Sequence, residues 1–223
     1  MKLVGSIKVK NHNFWTGLAD TTLLFSFFIS GCSALIYQVC WQRSLYSVIG
    51  VDIDSITISV SAFMLGIGTG GLLGGLLADR YPHLRIRLFA ASELTIALYG
   101  VVTIWLLPWL DEALAAAAWG TAGARAIVCF AFLILPTTLM GMTLPLLTMA
   151  FNERRNNIGI SVGALYFANT LGAALGAALV PFVLLRSLTL WQSVLVAAAG
   201  NLLVAVGAVL VARQLSQARG TAQ

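Results

Sequence analysis

Six apolar runs separated by short polar stretches constrain this chain more than any other feature. They cover about Leu23 to Trp41, Ile56 to Ala78, Ile86 to Leu107, Ala126 to Ala150, Ile160 to Leu184 and Leu190 to Ala212. Each is close to the ~20 residues a helix needs to cross the hydrocarbon core of a bilayer. Backbone groups in lipid have no water to bond, so a run of this kind must satisfy them internally, as a helix. The expected fold is therefore an all-α integral membrane protein of six transmembrane helices. Residues 1-20 form a polar N-terminus, 21-212 a single six-helix membrane domain and 213-223 a short tail. Composition agrees: 9% of residues are charged and 59% hydrophobic, whereas soluble domains carry about a quarter charged residues. The formal charge of +5 calls for no nucleic acid, because loops on the cytoplasmic side of a membrane collect Lys and Arg.

That rule also sets an orientation. With six spans both termini share a side, which holds Lys2, Lys8, Lys10, Arg80, Arg85, Arg87, Arg154, Arg155, Arg213 and Arg219, against Arg43, Arg125 and Arg186 on the other. The bias puts both termini in the cytoplasm. Trp15 suits a headgroup-level anchor, and Asp20-Thr21-Thr22 offers N-cap oxygens to the first run. Ile29-Ser30-Gly31-Cys32 resembles a lipoprotein cleavage box, which would make Cys32 a lipidation site, but the apolar run continues through Ala34, Leu35, Ile36 and Val39. An uncleaved first span is the expectation. Cys32, Cys40 and Cys129 have no CxxC spacing and read as small core residues, with no metal or haem implied. Between the third and fourth runs, Asp111-Glu112 can cap a short alanine-rich helix lying in the interface between Trp109 and Trp119.

Glycine organises the packing. From Ser61 to Arg87, Gly66, Gly70 and Gly74 fall on one helix face, with Gly71 and Gly75 beside it, and small residues at that spacing let a second helix approach closely. Gly66-Ile67-Gly68-Thr69-Gly70-Gly71 also looks like a cofactor-cradling loop, but that chemistry needs a preceding strand and a turn. The apolar run continues on both sides, so no cofactor is expected. Setting Ser61 to Ala78 over Gly163 to Val180 superposes Gly70 on Gly172, Leu73 on Leu175, Gly74 on Gly176 and Leu77 on Leu179. The second and fifth spans then occupy equivalent places in two three-helix halves, inverted in the membrane as in transporter folds.

Four stretches together resemble a known family. They are Phe28-Ile29-Ser30-Gly31 leading to Tyr37-Gln38-Val39-Cys40-Trp41-Gln42-Arg43; Ala62-Phe63-Met64-Leu65-Gly66 to Ala78-Asp79-Arg80; Leu135-Pro136-Thr137-Thr138-Leu139-Met140-Gly141-Met142-Thr143-Leu144-Pro145-Leu146-Leu147; and Gly163-Ala164-Leu165-Tyr166-Phe167-Ala168-Asn169-Thr170-Leu171-Gly172-Ala173-Ala174-Leu175-Gly176. They look like the membrane region of bacterial proteins in which a helical bundle is fused to a spermidine-synthase-like domain. Gly75-Leu76-Leu77-Ala78-Asp79-Arg80, followed by Arg85, is also similar to the loop after the second helix of the major facilitator superfamily, although Pro82 and His83 depart from that motif. The resemblance implies a half-facilitator-like bundle in a bacterial inner membrane. Fused relatives carry their aminopropyltransferase-like domain after the bundle, whereas this sequence ends at Gln223. No catalytic residue or metal ligand is expected here.

Polar residues within the runs are the functional candidates, because an ionisable group in lipid is costly and faces a partner or a cavity. Glu93 lies roughly 10 Å into the third span at 1.5 Å per residue, and Tyr166 and Asn169 reach a similar depth in the fifth. These three are expected to form a hydrogen-bonded cluster that either carries a proton or cationic substrate or glues helices together. Tyr37, Gln38, Trp41, Gln42 and Arg43 would form an outer anchor or a vestibule, which Asp52 and Asp54 make attractive to amines. Asp79, Arg80 and Arg85 would form a charged latch at the cytoplasmic end. Pro136 and Pro145 point to a kink in the fourth span, and Asn201 to a bond across to another helix. Two functions are open: a non-catalytic membrane subunit that docks a soluble spermidine-synthase-like protein or a larger membrane complex, or a transporter of a small, polyamine-like cation working as a homodimer.

Overall fold

The computed structural model describes residues 2–49, 53–116 and 121–220, with side chains over 17–46, 56–114, 116, 121, 123–153 and 155–217. The expected roles of Lys2, Lys8, Lys10, Trp15, Asp52, Asp54, Trp119, Arg154 and Arg219 lie outside the described side chains. The elements are α1 (Lys2–Ile49), α2 (Ile53–Arg80), a 3-10 turn (Pro82–Leu84), α3 (Arg85–Ala116), α4 (Ala122–Arg155), α5 (Ile158–Leu179) with a π turn (Val180–Leu184) and a last helical turn (Leu185–Ser187) behind it, and α6 (Leu190–Gly220). Among the described residues six helices are long and apolar enough to cross a membrane, over Gly17–Tyr46, Ile56–Arg80, Pro82–Leu114, Gly123–Glu153, Ile158–Ser187 and Leu190–Gln217. The chain has the architecture of a multi-pass, all-α membrane protein.

Two local expectations are corrected. Asp20-Thr21-Thr22 does not start a helix, since α1 runs through it. Thr21 and Thr22 turn their hydroxyls back to the carbonyls of Gly17 (3.1 Å) and Leu18 (2.9 Å), the alternative open to such residues inside a helix. Asp20 instead pairs with Arg155. Nor does a separate interfacial helix begin at Asp111-Glu112: α3 continues through Pro108 to Ala116, as its alanine-rich end favours. The chain restarts at Thr121, whose hydroxyl accepts from the Ala124 N–H and caps α4.

Proline shapes two helices differently. Pro136 lacks the N–H that would pair with the Phe132 carbonyl, and the Tyr99 hydroxyl of α3 donates to that carbonyl instead, at 2.7 Å. Helix α4 stays α-helical through both Pro136 and Pro145. The irregular turn falls at Pro181, where the Leu185 N–H reaches back to Val180.

The helices pair as two interlocked halves. Helix α2 packs on α4, α1 on α5 and α3 on α6, with α1 also against α6 and α3 against α4. Exchanging α1 with α4, α2 with α5 and α3 with α6 leaves this set unchanged. The glycine contacts obey the same exchange. A Cβ at Gly70 would overlap the Thr138 carbonyl, one at Gly74 would overlap Met142 and one at Gly141 would overlap Ile67. In the other half a Cβ at Gly172 would overlap the Phe28 carbonyl, one at Gly176 Cys32 and one at Gly31 the Asn169 carbonyl. Gly66 sits on Thr137 in the same way. The packing glycines named from sequence, Gly66, Gly70, Gly74, Gly172 and Gly176, thus all lie at helix crossings. Along the third pair, one constant offset carries the buried Phe89, Ala90, Ile96, Ala97 and Thr103 of α3 onto the buried Ala197, Ala198, Val204, Ala205 and Val211 of α6. It also carries Glu93 onto Asn201.

The ends of the bundle establish direction. Asp20 of α1, Ala78 of α2, Arg85 of α3 and Glu153 and Arg155 of α4 meet at one end. Tyr37 and Trp41 of α1, Tyr99 of α3 and Phe132 of α4 meet toward the other. Helices α1 and α4 therefore run in opposite directions, and the halves are inverted.

A polar belt and a cleft between the halves

The buried interior consists of two apolar cores. One, toward the Trp41 end, includes Ile36, Tyr37, Trp41, Ile96, Leu133 and Val194; the other, toward the Asp20 end, includes Leu23, Phe27, Phe89, Leu147, Phe151 and Val204. Between them lies a belt of buried polar side chains, Ser30, Ser33, Ser92, Glu93, Thr137, Thr143 and Asn201. Most of its hydroxyls are absorbed by their own helices: Ser92 donates to Leu88, Thr137 to Leu133 and Thr143 to Met140. Glu93 is different. It is fully buried, one carboxylate oxygen accepts from the Ser30 hydroxyl at 2.6 Å, and the other has no partner. The Asn201 amide oxygen and the Tyr37 hydroxyl are likewise buried and unpartnered.

Beside this belt a cleft of about 760 Å³ opens between the halves. Helix α1 contributes Ser30, Gly31 and Gln38, α2 contributes Met64, Ile67, Gly71, Gly75 and Asp79, and α4 contributes Gly141, Thr143 and Thr148. Helix α5 adds Val162, Tyr166, Asn169 and Ala173, and α6 adds Asn201. The volume falls within the ~300–1,000 Å³ of small-molecule sites, whose apolar walls carry a few placed polar groups. Added Cβ atoms at Gly71 and Gly75 would meet nothing, so glycine there leaves space rather than admitting a helix. Among the described residues Asp79 is the one charged side chain on the lining, and no cation stands there.

The expected cluster of Glu93, Tyr166 and Asn169 is not a hydrogen-bonded unit. Helix α1 packs against both α3 and α5 and takes the bonds: Glu93 accepts from Ser30, while the Asn169 amide donates to the Phe27 carbonyl at 3.2 Å. Tyr166 is 60% exposed. Tyr166, Asn169 and Ser30 instead share the cleft wall.

The outer vestibule of Tyr37, Gln38, Trp41 and Arg43 divides three ways. Tyr37 and Trp41 do share a helix face, stacked at 4.7 Å, but that face is wholly buried. Trp41 donates its indole N–H to Thr103 at 3.1 Å and meets Tyr99 and Phe132 edge-on, an arrangement rings favour over a flat sandwich. Gln38 turns to the cleft. Gln42 donates to Tyr46 at 2.9 Å, in a small surface groove with Arg43. The aromatic belt expected at the interface is thus a core anchor, because α3 and α4 cover it.

The charged latch is rebuilt as well. Asp79 and Arg80 are exposed, and Arg80 lies beside the Tyr81 ring. Arg85 is buried, donates to the Ala78 carbonyl at 2.8 Å and pairs with Glu153 of α4. A second pair joins Arg155 to Asp20 at 3.2 Å, its guanidinium lying over Phe151. In the sequence Arg155 stands as a topology signal, Ser30 appears only inside the Ile29-Ser30-Gly31-Cys32 and Phe28-Ile29-Ser30-Gly31 stretches with no role of its own, and Glu153 carries no expectation.

Comparison with protein-family models, with curated proteins and with solved structures finds no match.

Proposed function

We propose that the chain is one half of a membrane transport path for small, cationic or neutral molecules, completed by a second copy facing its cleft. The observation that carries this reading is the cleft itself, framed by α1 and α2 from one half and α4 and α5 from the other. Its lining offers amide and hydroxyl groups within apolar walls, and Asp79 gives it one negative charge and no positive one, which favours amines over anions. The helices that flank it, α2 and α5, are the least covered of the six described spans. A second bundle facing the cleft would cover them. The positive-inside bias assigns the Asp20 end to the cytoplasm, and the family resemblance assigns the membrane to the bacterial inner membrane.

The test is uptake of labelled putrescine and spermidine into proteoliposomes. Wild type should accumulate amine, and Gly71→Leu, which fills the cleft without touching a helix crossing, should abolish uptake while keeping the protein monodisperse. Equal uptake by wild type, Gly71→Leu and empty vesicles would discard the reading. The other function, a non-catalytic subunit docking a soluble enzyme or a larger complex, draws on the family resemblance, and the uncovered face of α5 suits it too. Recovery of a stoichiometric partner after gentle-detergent purification of the native protein would favour it.

A further inference from the structure

We propose that Glu93 is a proton-binding site coupled to the cleft, with Ser30 and Asn201 as its gate. This deepens the transport reading and rests on it, by naming the ion that the path would use.

The geometry begins with depth. Ser30 bonds Glu93 directly. A Cβ at Gly200 would meet the Ser33 hydroxyl, and one at Gly207 would meet that of Ser26, so α6 runs antiparallel to α1 with Asn201 level with Cys32, within a turn of Ser30. Ser30 and Asn201 both also line the cleft. Glu93 therefore lies one side chain behind a wall that water or substrate reaches, inside a layer that separates two dry cores.

Among the described residues no cationic side chain pairs with Glu93. Helix α6, which packs on α3, carries no charged residue from Leu190 to Val211, and Asn201 is buried on it. Helix α4 has none from Ala126 to Ala150; its Cys129 is in the other core, and its Glu153 is held by Arg85 at the bundle end. Helix α1 has none from Thr21 to Gln42, and its titratable groups are Tyr37 near Gly100, Cys40 beyond it and Cys32, which packs on Gly176. On α3 itself, Arg85 and Arg87 lie at the end of the bundle. An isolated carboxylate is expensive to bury, so the charge must be cancelled by a bound monocation. Ser30 already donates to one oxygen. The other is open, which leaves a place for one proton, with the unpartnered Asn201 oxygen, within a turn of Ser30, as an acceptor for the resulting O–H.

The step balances simply. A hydronium ion in the cleft gives one proton to the free carboxylate oxygen, leaving water, and the site becomes neutral; release returns that proton to water as hydronium when the path opens to the opposite side. The internal twofold adds a constraint, since Glu93 and Asn201 occupy equivalent places. A carboxyl moved to position 201, with the amide at 93, should still bind a proton, although the exchange carries Ser30 onto Met140 and so gives it no equivalent hydroxyl.

Dicyclohexylcarbodiimide, which takes the proton of a carboxylic acid in apolar surroundings and is then attacked by its oxygen, tests this on the full chain in detergent, with the adduct located by peptide mass. The expected result is an adduct on Glu93 that is lost in Glu93→Gln. Its rate should fall about tenfold for each pH unit above the titration midpoint and should not change with sodium. The exchanged double variant Glu93→Asn/Asn201→Glu should carry the adduct at position 201, with a rate that again falls as pH rises through its own midpoint. A rate independent of pH, protection by sodium, or no adduct on monodisperse wild type would overturn the proposal. Should Glu93→Gln fail to fold, the wild-type profile and the exchanged variant decide. Labelling needs no substrate, so flat labelling with amine uptake intact sinks the proton site alone. Titrating labelling without any uptake sinks the cleft reading alone.

Discussion

At the scale of residues, small differences in surroundings separate side chains that look alike in sequence. Gly68 and Gly70 stand two positions apart, yet a Cβ at Gly68 would meet nothing while one at Gly70 would overlap α4 backbone. Gly70→Val should therefore destabilise the bundle by about 1–3 kcal/mol or more, the usual cost of overpacking, and Gly68→Ala should be close to neutral. Thermal unfolding in one detergent, with both variants compared to wild type, checks this. The arginines divide similarly. Arg85 is buried against Ala78 and Glu153, while Arg80 and Arg87 are exposed. Arg85→Ala leaves the Ala78 carbonyl without its side-chain donor, for an expected loss of about 1–2 kcal/mol, whereas Arg87→Ala should change stability little. An equal effect of the two would mean that the Arg85 contacts carry no stability.

The elements show what a neighbour can do for a helix. Helix α4 keeps its α geometry at Pro136 because Tyr99 of α3 donates to the freed Phe132 carbonyl. Tyr99→Phe should cost about 1–3 kcal/mol, the penalty of an unmade buried hydrogen bond. Pro136→Ala in the same chain should recover most of that loss, by restoring the N–H that the helix itself supplies. Failure of the double variant to recover would show that Tyr99 acts by packing alone. This arrangement was half legible beforehand. The two prolines mark α4 as the helix needing help, but nothing local says that the donor stands 33 residues away. The same limit explains the misplaced helix starts at Asp20 and Asp111. Capping residues signal an end only where the chain has reason to stop, and elsewhere their oxygens turn to the helix or to a distant partner, as Thr21 and Asp20 do.

For the whole molecule the decisive feature is the internal twofold, which builds the cleft from two equivalent helix pairs and leaves α2 and α5 uncovered. A second copy seated there should bring cleft-rim positions together. In a background lacking the native cysteines, Met64→Cys should cross-link into dimers in membranes, while Leu203→Cys, 66% exposed on α6 and off the cleft, should not. Equal cross-linking at both would reject the facing arrangement. The sequence alone determined the number of spans, the all-α class, the glycine faces and their repetition, because hydropathy and residue size are local and a backbone in lipid has only helix to adopt. Only the tertiary structure decided which side chains meet. Glu93 went to Ser30 rather than to Asn169 because α1 packs against both helices, Tyr37 and Trp41 became core because α3 and α4 cover them, and Arg85 paired with a carboxylate 68 residues away. Each outcome depends on the rotation of one helix against another, which packing of the whole bundle sets and no single run encodes.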